Sequence, residues 1–180
     1  MTEHKHTPGD SYEYYIDQYK IMHNGKYTKL LESSPTYRSR EILKPIIVQT
    51  GCKSLLDFGC AAGLHWTEYD LKGFFELDEF GLYDPAVEAY KTLPERTFDG
   101  VLCVDVMEHI PEDSVDYVIE QILSRATKLA LFKIAVAPAM AILPDGQNAH
   151  VTVKSSEWWR NRIAEHKKEG LTIQVNRVII

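Results

Sequence analysis

The sequence predicts an α/β fold in which helices flank a doubly wound, mostly parallel sheet. Short apolar runs alternate along the chain with segments of helical periodicity, which is the pattern of repeated strand–helix units. In one of these units, Ser54–Gly63, a buried-strand run closes on an acid and turns through small residues towards a helix. The length of 180 residues and the apolar fraction of 44% suit a single domain with a substantial core.

Composition and charge argue against several classes of partner. The net charge of −6 gives no field that attracts nucleic acid or an anionic membrane surface. There is no apolar run long enough to span a bilayer and no signal-peptide core, so the expected location is the cytoplasm. The patterns indicate no metal site. The three cysteines lack C-x-x-C spacing and are expected to be reduced thiols: Cys52, Cys60 and Cys103.

Residues 1–35 are predicted to form a helical extension of the domain or a lid over it. The first helix is expected to be capped by Asp10 or Ser11 and to contain a run of tyrosines. These tyrosines either pack with their hydroxyls in water or include one that closes a pocket. Turns are predicted at Asn24-Gly25 and at residues 33–35.

The strand predicted over residues 53–57 and the turn that follows it form the expected ligand site. Gly59 and Gly63 allow backbone angles and a close approach that a side chain would block. The helix after the turn is expected to direct its first N–H groups towards the same place. Because open α/β sheets bind ligands at the carboxyl ends of their strands, this turn is interpreted as a nucleotide-type cradle. An ordinary tight loop is the other interpretation of the turn alone.

The remaining elements follow from apolar periodicity and from turn residues. The predicted helices are Tyr37–Thr50 (kinked or restarted at Pro45 and stopped by Gly51), 85–91, 112–125, and one from Ser155 or Ser156 that is stopped by Gly170. The predicted strands are Phe80–Tyr83, Val101–Val106, Leu129–Val136 and Leu171–Ile180, with a loop over residues 138–149. The strand before Asp84 ends where a doubly wound fold places a carboxylate that binds a ribose diol.

Several motifs occur together in the order and spacing of one enzyme family. The chain resembles the class I S-adenosylmethionine-dependent methyltransferases in three segments: Leu56–Gly63, Tyr83–Ala86, and Phe98–Gly100 with Asp105–Pro111. Asn148–Thr152, followed by Trp158-Trp159, is similar to a small bacterial and phage-type subgroup of that family. The resemblance covers roughly residues 40–135 and implies a Rossmann-like methyltransferase fold.

The resemblance also implies a set of cofactor-binding residues. The backbone of Gly59, Cys60 and Ala61 would contact the methionine and ribose of S-adenosylmethionine, and the family prefers glycine at the position of Ala61. Asp84 would accept both ribose hydroxyl groups. The other implied residues are Asp57 (orienting the loop or the amino group), Gly63 (forming the turn), Pro85, Phe98 and Asp99 (bordering the adenine), and Asp105 (at the pocket floor).

His109 and His150 are the candidate catalytic residues for methyl transfer to a hydroxyl or amine. His109 is either a base or a residue that orients the substrate or caps the next helix, and His150 is expected to face the substrate. The expected acceptor is a small molecule or a glycan. Nucleic acid is not expected, because the Asn/Asp-Pro-Pro-aromatic run of DNA amino-methyltransferases is absent. The oligomeric state is left open.

Two other functions remain open on the sequence alone. A relative of the methyltransferase fold that binds the cofactor, or serves a structural role, without turnover would fit Ala61 and the lack of a firm catalytic base. A nicotinamide oxidoreductase is disfavoured, because Gly59 and Gly63 lack the G-x-G-x-x-G spacing and no Tyr-x-x-x-Lys follows the later strand.

Overall fold

A computed structural model of the chain describes residues 6–26, 35–176 and 178–179. Its strands are β1 (Ser54–Phe58), β2 (Glu79–Tyr83), β3 (Phe98–Val104), β4 (Ala126–Lys133), β5 (Thr172–Val175) and β6 (Val178–Ile179). Its α-helices are α1 (Tyr12–Lys26), α2 (Pro35–Gln49), α3 (Leu64–Glu68), α4 (Leu71–Phe74), α5 (Val115–Arg125) and α6 (Ser156–Ala164). Short 3₁₀ turns occupy Glu88–Tyr90, Met107–His109 and Glu112–Ser114.

The strands form one sheet in the order β2-β1-β3-β4-β5-β6. The first five strands are parallel, and the two-residue β6 is antiparallel to β5. The predicted α/β class, with a mostly parallel sheet between helices, is confirmed. The chain leaves β1 towards β2 on one side and returns to β3 on the other. The crevice at the carboxyl ends of β1 and β3 is therefore the switch point, where such sheets bind ligands.

Each face of the sheet is covered by its own hydrophobic core. Leu56 of β1 faces a cluster formed with α1, α5 and α6, whereas its neighbour Leu55 faces a second cluster formed with α2, α3 and α4. Both leucines have no exposed surface. The alternation follows from the period of two along a strand, and burial of each side chain stabilises the fold by roughly 1.5–3 kcal/mol.

The helix before β1 is one continuous element. Pro45 lies inside α2, and Leu43 and Ile47 on either side of it are buried against the sheet. Packing of this apolar face holds the helix together although the proline cannot donate a hydrogen bond. The predicted restart at Pro45 is therefore wrong, while the predicted stop is confirmed by Gly51, which has a φ of 65°.

Several other predicted features differ from the structure, among them the last helix, which ends at Ala164 and does not reach Gly170. Asn24-Gly25 forms no turn, because α1 continues to Lys26. The helix predicted over residues 85–91 is reduced to one 3₁₀ turn, Glu88–Tyr90. The final strand is interrupted at Asn176, where a φ of 47° reverses the chain from β5 into β6. Of the turn predicted over residues 33–35, residues 33 and 34 lie outside the described part of the chain.

The three cysteines lie in the interior of the protein. Cys52, Cys60 and Cys103 are all buried and free. Burial raises the pKa of the Cys60 and Cys103 thiols, which keeps them protonated and unreactive. Within the described ranges, none of the helices combines the length and the apolar character that crossing a membrane requires.

Candidate functional site

A cavity of about 690 Å³ opens at the carboxyl edge of the sheet, beside the switch point. Its volume lies within the range of small-molecule sites, which is roughly 300–1,000 Å³. The turn after β1, the residues after β2 and the residues after β3 form its inner side. Its outer wall comes from α1 and from a loop before α6. The inner side includes Phe58–His65, Asp84–Ala86, Asp105–Val106 and Glu108–Pro111. The outer wall includes residues of Tyr12–His23 and of Pro138–His150.

The turn after β1 is a cradle of backbone in left-handed conformations. Gly59, Ala61 and Gly63 have φ angles of 84°, 50° and 64°. The N–H groups of Gly59 and Cys60 both donate to the carbonyl oxygen of Tyr83, at 2.7 and 3.0 Å, which ties the turn to the end of β2. Ala61 adopts backbone angles that are unfavourable for a residue with a side chain. It stands where the methyltransferases that the chain resembles prefer glycine.

Asp84 closes the cradle from the neighbouring strand. Its Oδ2 accepts the N–H of Ala61 at 2.8 Å, and its Oδ1 accepts the N–H of Ala86 at 2.9 Å. Each carboxylate oxygen has a second lone pair, so the group can still accept from a ligand. Burial raises the pKa of Asp84, opposed by these two backbone hydrogen bonds. Both Asp84 and its neighbour Pro85 line the cavity.

Asp57 is buried in the interior and is not among the residues that line the cavity. Its Oδ2 accepts from Trp66 Nε1 at 2.7 Å and is 3.1 Å from His65 Nε2. Its Oδ1 accepts the hydroxyl of Thr36 at 3.2 Å. The carboxylate therefore joins β1, α2 and α3 behind the cradle. Of the two roles that the resemblance implies for Asp57, this position suits orientation of the loop, because the carboxylate is not on the cavity wall.

Phe98 and Asp99 lie at the opposite edge of the sheet, so their expected place beside the cofactor is corrected. They begin β3, whereas the cavity lies at its far end. Asp99 Oδ2 accepts the N–H of Lys53 at 2.7 Å, just before β1, and Oδ1 pairs with Lys128 at 3.1 Å. Phe98 is buried under Gly81. In a parallel sheet the first residues of all strands lie at one edge, and a cradle that follows a strand lies at the opposite edge.

Asp105 follows β3 and reaches the cavity, with a φ of 54°. Lys133 Nζ donates to its Oδ1 at 2.6 Å, and Arg38 lies 4.0 Å from its Oδ2. Lys133, unusual in an apolar strand, thus acts as the partner of this acid. Asp105 sits on the cavity wall as a paired and partly exposed carboxylate.

The two candidate catalytic histidines lie side by side at the cavity, with ring centroids 4.9 Å apart. The Nδ1 of His109 donates to the carbonyl oxygen of Ala149 at 2.8 Å. The Nδ1 of His150 donates to the carbonyl oxygen of Ala137 at 2.6 Å. Burial lowers the pKa of His109 to about 4, so its imidazole is neutral near pH 7. The structure brings together two residues that are distant in the sequence.

Glu108 belongs to the same site. From the sequence it either assists one of the histidines or is a surface carboxylate at the start of a helix, and the structure buries it close to both histidines. The residue has no exposed surface, and its Oε1 accepts the N–H of Ala135 at 3.0 Å. Burial raises its pKa to about 7. The signal that could have found it is the turn Met107–His109, which follows a fully buried strand and points an acid back towards the sheet.

The tyrosine-rich helix α1 forms the outer wall of the cavity. The Tyr19 hydroxyl donates to the carbonyl oxygen of Ala149 at 2.6 Å and lies 3.0 Å from His109 Nδ1. The Tyr14 and Tyr15 hydroxyls donate to Asp145 at 2.6 Å and to Gln147 at 3.0 Å. Of the two interpretations of these tyrosines, the one in which a tyrosine closes a pocket describes Tyr19.

The tryptophan pair near the end of the chain contributes packing. Trp159 is buried in the core, and the ring of Trp158 contacts Lys154 Nζ, 5.3 Å from its centroid. Neither residue is among those that line the cavity.

Comparisons with known proteins add no family to these observations. No protein-family model matches the chain, and no curated protein shows significant similarity to it. The function is therefore argued from the geometry of the site.

Proposed function

We propose that the protein is a methyltransferase that uses S-adenosylmethionine and acts on a small-molecule or glycan-type acceptor. The observation that supports this most is the cradle. A turn of small residues with left-handed backbone faces Asp84, and both border a cavity of about 690 Å³. The motif resemblance of Leu56–Gly63 and Tyr83–Ala86 points to the same chemistry, and the strand order is compatible with a Rossmann-like methyltransferase fold.

The charges at the cavity favour a cofactor without phosphate groups. Three carboxyl groups line it, those of Asp84, Asp105 and Glu108, against a single Lys or Arg side chain among the described residues, Arg38. Carboxylates repel the phosphates of a dinucleotide or a flavin nucleotide, whereas they attract a sulfonium and an amino group. The helix that follows the turn is also short. Since α3 has only five residues, its N-terminus offers little dipole to a pyrophosphate.

Asp84 is proposed to bind the ribose diol of the cofactor. Its two oxygens are fixed by the N–H groups of Ala61 and Ala86, so the carboxylate is oriented before the ligand arrives. A carboxylate that accepts two hydroxyl groups makes charge-assisted bonds, which are about twice as strong as neutral ones. The backbone of Gly59 to Gly63 would lie along the rest of the cofactor.

His109 and His150, which line the same cavity, are proposed to face the acceptor. S-adenosylmethionine supplies an activated methyl group on a sulfonium, so the protein's task is mainly to align the acceptor with it. In both histidines Nδ1 donates to a backbone carbonyl, which leaves Nε2 as the basic nitrogen. A neutral imidazole can take the proton of a hydroxyl or amine, an effect worth roughly 10²–10⁴-fold in rate when the pKa of the base lies near the working pH. Because the lowered pKa of His109 makes it a weak base, His109 is proposed to orient the acceptor and His150 to be the base.

Calorimetric titration with S-adenosylmethionine and S-adenosylhomocysteine tests the proposal. Micromolar binding by the wild type is expected. Asp84→Ala should weaken it by about 10-fold to 100-fold, the effect of losing hydrogen bonds to one charged group. Asp99→Ala is the matched control, because it removes a carboxylate at the opposite edge of the sheet and should leave binding unchanged.

The outcomes separate the competing functions. Failure of the folded wild type to bind either compound would refute the proposal. Binding that Asp84→Ala and Asp99→Ala weaken equally would refute the placement of the ribose. Tight binding followed by no transfer to any hydroxyl or amine in a broad acceptor screen would favour a non-catalytic binding protein of this fold.

A further inference from the structure

A cluster of three metal-ligating side chains borders the cavity. One ring nitrogen of His109, one ring nitrogen of His150 and a carboxylate oxygen of Glu108 all lie within 4.8 Å of one another. All three residues line the same cavity. Two imidazoles and one carboxylate are a frequent ligand set for divalent ions in proteins, with further positions left for water or substrate.

The hydrogen bonds of both histidines leave Nε2 available for a ligand. A backbone carbonyl can only accept, so the Nδ1 that approaches Ala149 and the Nδ1 that approaches Ala137 must both carry the proton. The Nε2 of each ring then holds a lone pair. Bonding of the second ring nitrogen to a carbonyl is also the arrangement that orients metal-bound histidines and increases their basicity.

The carboxylate of Glu108 has one oxygen without a partner. Its Oε1 is held by the N–H of Ala135, whereas its Oε2 is buried and has no hydrogen-bond partner among the residues that the structure describes. A buried carboxylate oxygen without a partner is costly in a folded protein. A bound cation would satisfy it.

The backbone around the three side chains is fixed by the protein itself. The Thr152 hydroxyl donates to the carbonyl oxygen of Ile110 at 2.6 Å, and the Thr152 N–H donates to that of Glu108 at 3.0 Å. Asn148 Oδ1 accepts the N–H of His150 at 2.9 Å. These contacts join the segment that carries His150 to the turn that carries the other two ligands, as a preorganised binding site requires.

We propose that Glu108, His109 and His150 bind a divalent first-row transition-metal ion in the cavity. Imidazole nitrogen favours ions such as Zn²⁺, Co²⁺ and Mn²⁺ over Mg²⁺, which prefers oxygen ligands. The proposal does not depend on methyl transfer, because it rests on the ligand set alone. If both proposals hold, the two imidazoles would be metal ligands and not bases. The bound cation would lower the pKa of an acceptor hydroxyl, whose proton would pass to solvent water.

A second group of potential ligands provides an internal comparison. His6, Glu120 and His166 also have ligand atoms close together, on the helical side of the protein. There the carboxylates are already engaged: Glu120 accepts from the His6 backbone and pairs with its ring at 2.7 Å, and Asp116 pairs with Arg162 and His166. This group is a hydrogen-bonded network that joins His6 and His166 to the acids of α5, and it serves as the control.

Titration of the chelator-treated full chain with CoCl₂ tests the site, because Co²⁺ bound to nitrogen ligands has visible d–d absorption. Calorimetry with ZnCl₂ and MgCl₂ gives the stoichiometry and the selectivity. One Co²⁺ per chain is expected, with Mg²⁺ at least about 10-fold weaker. Glu108→Gln keeps the Oε1 acceptor for Ala135. It should weaken binding by more than the roughly 10–100-fold that loss of an outer-shell partner costs. His150→Ala, at a more exposed residue, should do the same without threatening the fold.

His166→Ala is the matched control and should bind Co²⁺ as the wild type does. Absence of stoichiometric binding by the folded wild type would overturn the proposal. So would binding that His166→Ala abolishes and His150→Ala does not, or binding of Mg²⁺ in preference to Co²⁺. These results are independent of the titration with S-adenosylmethionine, so failure of either proposal can be recognised separately.

Discussion

Removal of the Asp57 carboxylate tests how the cradle is supported. Its two oxygens form hydrogen bonds with three side chains from two helices: Thr36, His65 and Trp66. Asp57 is 1% exposed, so water cannot replace the acceptor after substitution. A buried polar group left without a partner costs about 1–3 kcal/mol. Asp57→Ala should therefore lower the free energy of unfolding by about 3–6 kcal/mol, a large share of the 5–15 kcal/mol typical of a domain.

Asp57→Asn is the sharper variant, because it keeps the shape and one acceptor oxygen. With that oxygen placed as Oδ2 is now, the bonds from Trp66 and His65 survive, and the amide nitrogen can donate to the Thr36 hydroxyl. Only the charge assistance is lost. The expected cost is about 1–2 kcal/mol, so the asparagine variant should be clearly more stable than the alanine variant.

Urea unfolding, followed by far-UV circular dichroism and tryptophan fluorescence, measures these differences. Asp99→Ala is the control. That carboxylate is 22% exposed, its donors can turn to water, and the expected loss is no more than about 1 kcal/mol. If Asp57→Ala unfolds within 1 kcal/mol of the wild type, the carboxylate does not hold the cradle and the reasoning is wrong. If Asp57→Asn is as damaging as Asp57→Ala, the hydrogen bonds to it are not arranged as the structure has them.

Three further substitutions test the cradle and the outer wall. Gly59→Ala should lower the free energy of unfolding by about 2–4 kcal/mol, because of left-handed backbone strain and collision with Val106. In denaturant unfolding, a second substitution, Val106→Ala, should restore only the part of the stability that the collision removes. Ala61→Gly should change stability by less than about 1 kcal/mol, because relief at φ 50° is offset by backbone entropy; its melting temperature should not fall. Tyr19→Phe should cost about 1–2 kcal/mol in urea unfolding, because Ala149 loses a hydroxyl donor.

Each of these expectations has a result that would contradict it. Full recovery of stability by Val106→Ala would show that Gly59 is needed for space and not for its φ angle. A marked loss of stability in Ala61→Gly would mean that the methyl group packs against something that offsets the strain. Unchanged unfolding of Tyr19→Phe would show that α1 is held to the loop without this hydroxyl.

The sequence was sufficient for features that depend on neighbours along the chain. The strand before the cradle, the turn at Gly59 and the acid after β2 are local patterns, and the structure places Asp84 beside that turn. The α/β class follows from the same alternation. The helix predicted after Asp84 shrank to one turn, because Glu88–Tyr90 buries no side chain that would hold a longer helix in place.

Features that depend on strand direction or on burial in the folded chain could not be predicted from the sequence. Phe98 and Asp99 match a motif, yet they begin β3 and so lie at the edge of the sheet that faces away from the cavity. The Asp57 carboxylate turns inward because three donors from α2 and α3 meet there. The turn after β3 directs Glu108 back towards the sheet, but the hydrogen bond that engages its carboxylate is not a local feature. Its role depends on Ala135, which is supplied by the end of another strand.

The cavity has two sides with separate origins in the chain. The cradle belongs to the turn after β1 and to Asp84, which follows β2, and its geometry is held by the sheet. The outer wall belongs to α1 and to the 138–149 loop, which are joined to each other by tyrosine hydroxyls. Exchange of the wall residues would therefore leave the cradle unaltered. Such a division lets selection alter what enters the cavity by changing α1 and its partner loop, while the backbone cradle is inherited unchanged.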